Sequence, residues 1–527
     1  MPRKRSRNCL TAPRGREAGL GGLTCLVLAA TSSAQVGVPT ELESITVTAT
    51  RLPREAEIPS ATTTLDTGTI ALRNKTTVPE LLADVAGLHA SQPGGRGSVG
   101  ELLLRGGEPN FTAVLVNGVE MNDPTNTRGG SFDFSTLDIS EVQSIEITRG
   151  PLSSVYGSDA LSGVINIVTH RPSDTPSSSA TLTLGGKELA RAGLRVGGPA
   201  SAHSRYGLSV GTLRDGRHDD DGGYRSTTLS GTYELAPSAA ESLTIDARHG
   251  ETDLHAYPQS SGGPSYAVLR GRDRRRAQDS TLGVRWRQQV SPHAELHVRG
   301  AHLEHDEDIR SPGVAAGIGG AIPANSSRAE FTRDVLTLYL TGSPNARLSA
   351  AIGLDYEHQH GSSQGLIAAA PGVDLPASYD LTRSTSALFA ELAYELSPAL
   401  DLSAALRLDD SDAGGPESTG RLGASYALAD RVRLRIAAAQ GFKQPSLFSL
   451  GDPLVGNSSL VAETATSREL GVDLGAREDA LTMEITVFRQ RFEDLIDFDF
   501  ETFTTVNRDS VDADGIELSA RWRVADG

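Results

Sequence analysis

Hydrophobic and polar side chains alternate with a period of two along most of the chain. Apolar residues occupy every second position of Ser204–Arg214, Thr281–Val290, Ala399–Asp409, Arg431–Ala439 and Gly515–Val524. This alternation is typical of β-strands that have one apolar and one polar face. Segments of about ten residues with this pattern match strands that cross a bilayer at a tilt, and they predict roughly sixteen antiparallel strands.

The connections between these segments differ in length. Pro237–Ala239 and Pro344–Ala346 read as tight turns, whereas Leu254–Arg276, Ser311–Ser327 and Gly361–Asp380 read as long loops. Short turns on the inner side and long loops on the outer side are typical of outer-membrane barrels. A soluble β-sandwich would also alternate, but the strand lengths argue against it. We therefore predict a transmembrane antiparallel β-barrel over residues 173–527, because a closed barrel leaves no unpaired backbone in lipid.

Residues 55–172 show a mixed pattern instead. Thr77–Leu88 has a capping Thr, a Pro in the first turn and apolar residues at helical spacing, which predicts a helix that ends at Gly87. Val114–Met121 contains Asn-Gly, the strongest short hairpin signal. Val142–Thr148 and Val164–Val168 complete a small α+β domain ahead of the barrel.

The N-terminus predicts export. Residues 1–34 combine a basic segment, an apolar stretch at Leu20–Ala30 and small residues before Ala34, as in a signal peptide cleaved after Ala34. Cys9 and Cys25 both lie in this segment, so the mature chain would contain no cysteine.

Charge and composition exclude several classes of function. The net charge of −17 over 527 residues gives no indication of a nucleic-acid partner. After residue 35 there is no run of about 18 apolar residues. Neither zinc-ligand spacing nor a Gly-x-Ser-x-Gly elbow is present, so no enzymatic activity is predicted.

Several stretches together resemble the plug domain of TonB-dependent outer-membrane receptors. They are Leu102–Gly107, Val114–Gly118, Val142–Pro151 and Ser154–Thr169. The barrel segments Gln440–Leu447, Leu460–Gly471, Phe488–Phe498 and Asp514–Glu517 also resemble this family, and the cobalamin receptors are the most similar subgroup. The resemblance identifies six residues as the signature of the plug: Arg105, Gly106, Arg149, Gly150, Tyr156 and Gly157. Family barrels have about 22 strands, so we expect the barrel to be truncated at its C-terminus with about six strands missing.

Residues 35–54 precede this plug and resemble a TonB box with its linker. The box consists of Ser44, Ile45, Thr46, Val47, Thr48 and Ala49. An extended, uncharged, β-branched strand can pair edge-on with a strand of the TonB energy-transducing complex. The alternative interpretation is an ordinary first strand.

The resemblance implies TonB-dependent import of a scarce nutrient across the outer membrane of a Gram-negative cell, with cobalamin favoured. A siderophore or heme receptor is an alternative, as is a surface binding protein or remnant that does not transport. The implied partners are the TonB complex, outer-membrane lipid and the nutrient. The chain is expected to act as a monomer without a required cofactor.

The resemblance also implies candidate contacts. Ligand contacts are expected at the plug apex, at Glu108, Asn110, Asn122, Asp123 and Asn126. Arg105 and Arg149 would either bind acidic residues of the lumen wall or satisfy carbonyl groups within the plug.

A separate acidic cluster is expected in a loop between two strands and consists of Asp215, Asp219, Asp220 and Asp221. Closely spaced carboxylates repel one another unless a cation such as Ca²⁺ bridges them. The cluster therefore predicts either a structural calcium site or a solvated acidic loop.

Overall fold

A computed structural model describes residues 50–52, 59–95, 97–218, 222–316, 321–476, 479–508 and 510–523. These described residues belong to one compact unit. Its N-terminal part contains the elements β1 Thr62–Leu65, α1 Thr67–Arg73, α2 Val78–Leu82, β2 Leu88–Ser91, β3 Glu101–Leu104, β4 Thr112–Val116, β5 Val119–Glu120, β6 Val142–Arg149, α3 Ser153–Tyr156 and β7 Gly163–Thr169.

These elements build the predicted α+β domain. A five-stranded sheet has the order β1-β6-β7-β4-β5, and β2 pairs with β3 in a separate ribbon. Ile145, Ile147, Ile165 and Ile167 are fully buried in the same core as Leu81 and Leu82 of α2, and this core excludes water from the sheet. The Asn117-Gly118 hairpin is confirmed, with positive φ at both residues as a two-residue turn requires.

The predicted helix over Thr77–Leu88 is only partly confirmed. The Thr77 hydroxyl caps it by accepting from the Glu80 amide at 3.3 Å. The helix ends at Leu82, because the chain then turns with hydrogen bonds from Val85 to Leu82 and from Leu88 to Val85. These tighter turns direct the buried Val85 side chain into the core.

The C-terminal part is the large sheet with its outer-loop elements. They are β8 Ser177–Leu184, β9 Ala190–Ser201, β10 Ser204–His218, β11 Gly222–Ser238, β12 Glu241–Ala256, α4 Gly263–Tyr266, β13 Asp273–Ser291, β14 Ala294–Ser311, β15 Asn325–Asn345, β16 Leu348–Ala370, β17 Val373–Ser397, β18 Leu400–Ser411, β19 Gly415–Ala429, β20 Val432–Lys443, α5 Leu447–Gly451, β21 Glu463–Leu474, β22 Leu481–Glu493, β23 Leu495–Asp499, β24 Thr504–Arg508 and β25 Val511–Trp522.

Sixteen of these strands form one antiparallel sheet, which confirms the predicted number. It runs from β8 to β25 with neighbours in chain order, except that β22 pairs directly with β25 across the hairpin β23–β24. The predicted loop Gly361–Asp380 is wrong. There β16 and β17 continue as a paired ladder up to a two-residue turn. The sequence lacks apolar alternation in this stretch, but the hydrogen bonds between the two backbones do not depend on it. Among the described residues, no helix is long and apolar enough to cross a membrane.

Candidate functional site at the interface of plug and barrel

The N-terminal domain, here called the plug, contacts the lumen-facing side chains of the sheet. Arg105, just after β3, donates to both carboxylate oxygens of Glu517 on β25 at 3.0 and 2.8 Å. It also donates to Glu469 on β21 at 2.9 Å. Its guanidinium lies 4.4 Å from the centre of the Phe488 ring. Arg105 therefore binds the wall, in a buried site that strengthens its ion pairs.

Arg149 has a different role from Arg105. Its guanidinium donates to the Ala86 carbonyl at 2.7 and 3.0 Å and to the Thr63 hydroxyl at 3.0 Å, all within the plug. Glu517 lies 3.6 Å away. Of the two roles expected for these arginines, Arg105 takes the wall contact, whereas Arg149 mainly satisfies plug carbonyls.

The other signature residues shape the backbone around these arginines. Gly106, Gly150 and Gly157 have φ of 76°, 85° and 83°, a region that favours glycine. A Cβ on Gly157 would lie 3.1 Å from a guanidinium nitrogen of Arg407, so a side chain there would press on this wall residue. Tyr156 lines the cavity between plug and wall.

Further buried ion pairs join the plug to the wall. Arg248 binds Glu141 in a bidentate pair at 2.9 Å, and Arg275 binds Asp133 at 2.7 Å. The sequence alone does not predict these pairs, because it contains no information on the register between plug and wall. The available signal was the period-two row of charged residues facing the lumen, as at Asp246 and Arg248.

The charges are most crowded where the plug meets β15, β16 and β20. Arg333 lies 3.1 Å from Glu120, 3.4 Å from Glu357 and 4.0 Å from Asp159. Lys443 pairs with Asp159. Three carboxylates thus share two cations. Burial raises the pKa of Glu120 to about 8, whereas the pKa of Asp159 is lowered by Lys443 and Arg333 despite its own burial.

The raised pKa of Glu120 predicts a pH dependence of plug stability. The folded plug keeps a proton that the unfolded chain releases near pH 4.5, so stability should fall as pH rises from about 4.5 to about 8. Denaturant unfolding measured across this range gives the free energy of unfolding as a function of pH. The slope of this free energy against pH should be smaller for Glu120→Gln than for wild type. Asp84→Asn removes an exposed carboxylate and should leave the slope unchanged. Equal slopes for wild type and Glu120→Gln would contradict the prediction.

Most of the side chains that were expected to contact the ligand form hydrogen bonds within the plug. Asn122 bonds to the Val114 amide and to the Thr112 and Gly130 carbonyls. Asp123 accepts from Thr125, and Asn126 bonds to the Asp123 and Ser131 carbonyls. Asn110 is buried, and Glu108 is exposed. The structure therefore places four of these five side chains inside the apex, where they shape its loops.

An aromatic cluster that the sequence patterns did not predict lies at the tip of the hairpin β23–β24. Phe498 packs edge-on against Phe500 and Phe503, with ring centres 5.0 and 5.2 Å apart. Phe500 and Phe503 are 82% and 62% exposed, which is unusual for such large apolar side chains. At the base of the hairpin, Leu495 packs on the cluster that contains Phe111 of the plug. The hairpin thus links the outer surface to the plug apex.

The residues that follow the expected TonB box are held on the wall. The Thr50 hydroxyl and the Arg51 amide donate to Glu391 on β17 at 2.5 and 3.0 Å. The Arg51 guanidinium donates to Asp355 on β16 at 3.2 Å and covers the Phe389 ring at 3.9 Å. The box itself, Ser44 to Ala49, lies outside the described residues.

Beside this contact, a cavity of about 430 Å³ separates the plug from the wall. Leu115, Glu120 and Tyr156 line its plug side, and Arg285 and Arg407 line its wall side.

Asp215 lies within β10 opposite Tyr224, and not in a loop as expected. Asp215 belongs to the strand because the β10–β11 ladder continues beyond it to His218, which pairs with Gly222. Asp219, Asp220 and Asp221 lie outside the described residues. In the described part of the chain, no group of three or more His, Cys, Asp or Glu side chains could hold a metal ion.

Comparison with known proteins links this architecture to relatives. The chain is 24% identical to the vitamin B12 transporter BtuB of Vibrio vulnificus over 494 residues, covering 91% of this chain and 75% of the relative. It is 26% identical to BtuB of Vibrio cholerae strain O395, with the same coverages. Identity to the ferric enterobactin receptor of Pseudomonas aeruginosa is 24%, covering 77% of this chain and 63% of that receptor.

Solved structures share the fold. The ferric yersiniabactin uptake receptor FyuA from Yersinia pestis matches with a TM-score of 0.72 at 20% identity, covering 89% of this chain and 77% of FyuA. The siderophore receptor PirA from Acinetobacter baumannii matches with a TM-score of 0.70 at 17% identity, with coverages of 88% and 78%.

Family models match both parts of the chain. The model described as "TonB-dependent Receptor Plug Domain" matches residues 54–164. The model described as "TonB dependent receptor-like, beta-barrel" matches residues 170–527. The chain therefore belongs to the TonB-dependent receptor family of the Gram-negative outer membrane.

Proposed function

We propose that this receptor imports cobalamin across the outer membrane with energy supplied through TonB. The proposal rests on charge around the outer hairpin. Four carboxylates lie on or beside the hairpin, at Asp494, Asp497, Asp499 and Glu501. They outnumber its one arginine, Arg508, which pairs with Asp497 and Asp499. The exposed Glu108 of the plug lies near enough to Asp497 for their charges to interact. Carboxylates at the entrance repel a polyanionic ferric catecholate but not a neutral cobalamin.

The relatives named vitamin B12 transporters support this assignment. The exposed rings of Phe500 and Phe503 support it as well, because they offer a rigid apolar surface to a large ligand. Import of a ferric siderophore is the second candidate, since one relative is named a ferric enterobactin receptor.

Substitutions in the hairpin test the choice of ligand. Phe500→Ser and Phe503→Ser should each weaken cyanocobalamin binding to isolated outer membranes about tenfold, because each removes one apolar ring contact. Tyr266→Ser removes an equally exposed aromatic ring from another outer loop and should have no effect. Wild-type membranes that bind ferric enterobactin but not cyanocobalamin would favour the second candidate.

We also propose a structural calcium ion at Asp215, Asp219, Asp220 and Asp221. Calorimetry on the refolded protein should detect a Ca²⁺ heat that Asp219→Asn and Asp221→Asn remove. A titration without such a heat would rule the site out.

A further inference from the structure

The outward face of the barrel changes from apolar to charged along its strands. On β13 the outward side chains of Leu282, Val284 and Trp286 form part of an apolar band. Nearer the outer loops, the outward positions of the same strand carry Arg276 and Arg274, both exposed. The intervening residues face the lumen and are buried, which fixes the orientation of the strand.

Two arginines stand directly opposite each other at the top of this face. Arg274 on β13 pairs in register with Arg310 on β14. Directly opposed residues have Cβ atoms about 5 Å apart, and like charges in such positions are destabilising. Their outer neighbours in the same row are His255 and Ser326, and neither is an acid.

The row below shows the opposite arrangement. Arg276 stands between Asp253 and Asp308, and Asp308 in turn stands opposite Arg328. Charges of opposite sign alternate there, so this row is internally compensated. In the upper row the nearest carboxylate is Asp308, two positions along the strand and 3.7 Å from Arg310. Asp308 also stands opposite Arg276 and Arg328, so it is shared among several arginines. The pair of Arg274 and Arg310 therefore keeps an excess of positive charge, which favours an anionic ligand.

The height of the pair above the apolar band identifies the class of anion. Eight residues separate Leu282 from Arg274, about 27 Å along a strand. A strand tilt of about 40° turns this length into about 20 Å above the band. That level lies beyond the hydrocarbon boundary, among the saccharides of the outer-leaflet glycolipid. We propose that Arg274 and Arg310 bind a phosphate group on the core saccharide of lipopolysaccharide, which guanidinium groups recognise by paired hydrogen bonds.

Binding of lipopolysaccharide to the purified full-length chain tests the proposal. Arg274→Gln combined with Arg310→Gln should weaken binding of lipopolysaccharide with a phosphorylated core about thirtyfold. The matched control is Arg489→Gln with Arg491→Gln. It removes two outward arginines of β22 that Asp512 and Glu493 already compensate, and it should bind as wild type. Wild-type binding by the Arg274/Arg310 double variant would overturn the proposal.

Three further probes locate the anion. Lipid A without core saccharide, lipopolysaccharide with a dephosphorylated core, and inorganic phosphate should each bind wild type and double variant alike. A difference between the two proteins with lipid A alone would place the contact at the headgroup. A difference with the dephosphorylated core would exclude phosphate, and one with inorganic phosphate would indicate a free-anion site. Each of these three results would overturn the proposal.

Discussion

Arg105→Ala is expected to weaken the docking of the plug by about 3–5 kcal/mol, the usual cost of removing one partner from a buried ion pair. The loss is large because Glu469 would lose its ion pair and Glu517 would keep only the more distant Arg149 at 3.6 Å, in a site where the Arg105 side chain is fully buried. Amide exchange of β4, β6 and β7 should accelerate at least about a hundredfold if these strands exchange after undocking.

Two further variants make this prediction specific. Arg105→Lys keeps the charge but loses the bidentate bond to Glu517, so it should give an intermediate exchange rate. Adding Glu469→Gln and Glu517→Gln to Arg105→Ala should restore much of the protection, because the unpaired charges are then gone. Unchanged exchange in Arg105→Ala would show that the plug does not depend on this contact.

Arg51→Ala is expected to release the N-terminal segment from the wall without any ligand. The substitution removes the ion pair with Asp355 and the contact with the Phe389 ring, together about 2 kcal/mol. The released fraction should therefore rise about thirtyfold. A spin label on Val47→Cys, within the expected TonB box, should report the change as increased mobility.

Substitution of a partner of Arg51 tests whether loss of this ion pair causes the increased mobility. Asp355→Asn should increase the mobility of the label in the same direction, because it removes the wall side of the pair. Arg431→Ala removes an exposed arginine from an inner turn and should have no effect. Equal mobility in wild type and Arg51→Ala would contradict a role for this contact.

Local sequence patterns predicted those parts of the fold that depend on local preferences. The period-two alternation predicted the sixteen-stranded sheet. Asn117-Gly118 predicted its hairpin, because few other dipeptides readily adopt positive φ at both residues. The pattern failed over Gly361–Asp380, where both faces of the paired strands lack a continuous apolar row. There the backbone ladder holds the strands without the signal that alternation provides.

The functional contacts were harder to predict because they join distant parts of the chain. Arg105 and Arg149 belong to the same signature, yet one binds the wall and the other binds plug carbonyls, depending on their places in the packed domain. Asn122 and Asn126 were expected to face the ligand, but their amides satisfy apex carbonyls. Short polar side chains in loops often bond to nearby backbone, which makes them poor indicators of ligand contact.

Energy-dependent uptake of radiolabelled cyanocobalamin by cells that express this receptor tests the central proposal most directly. Saturable uptake is expected, and a protonophore should abolish it while leaving surface binding intact. Val47→Pro should have the same effect as the protonophore, because proline removes a backbone donor needed for strand pairing with TonB. Surface binding without accumulation in wild-type cells, or accumulation that Val47→Pro leaves unchanged, would contradict the account.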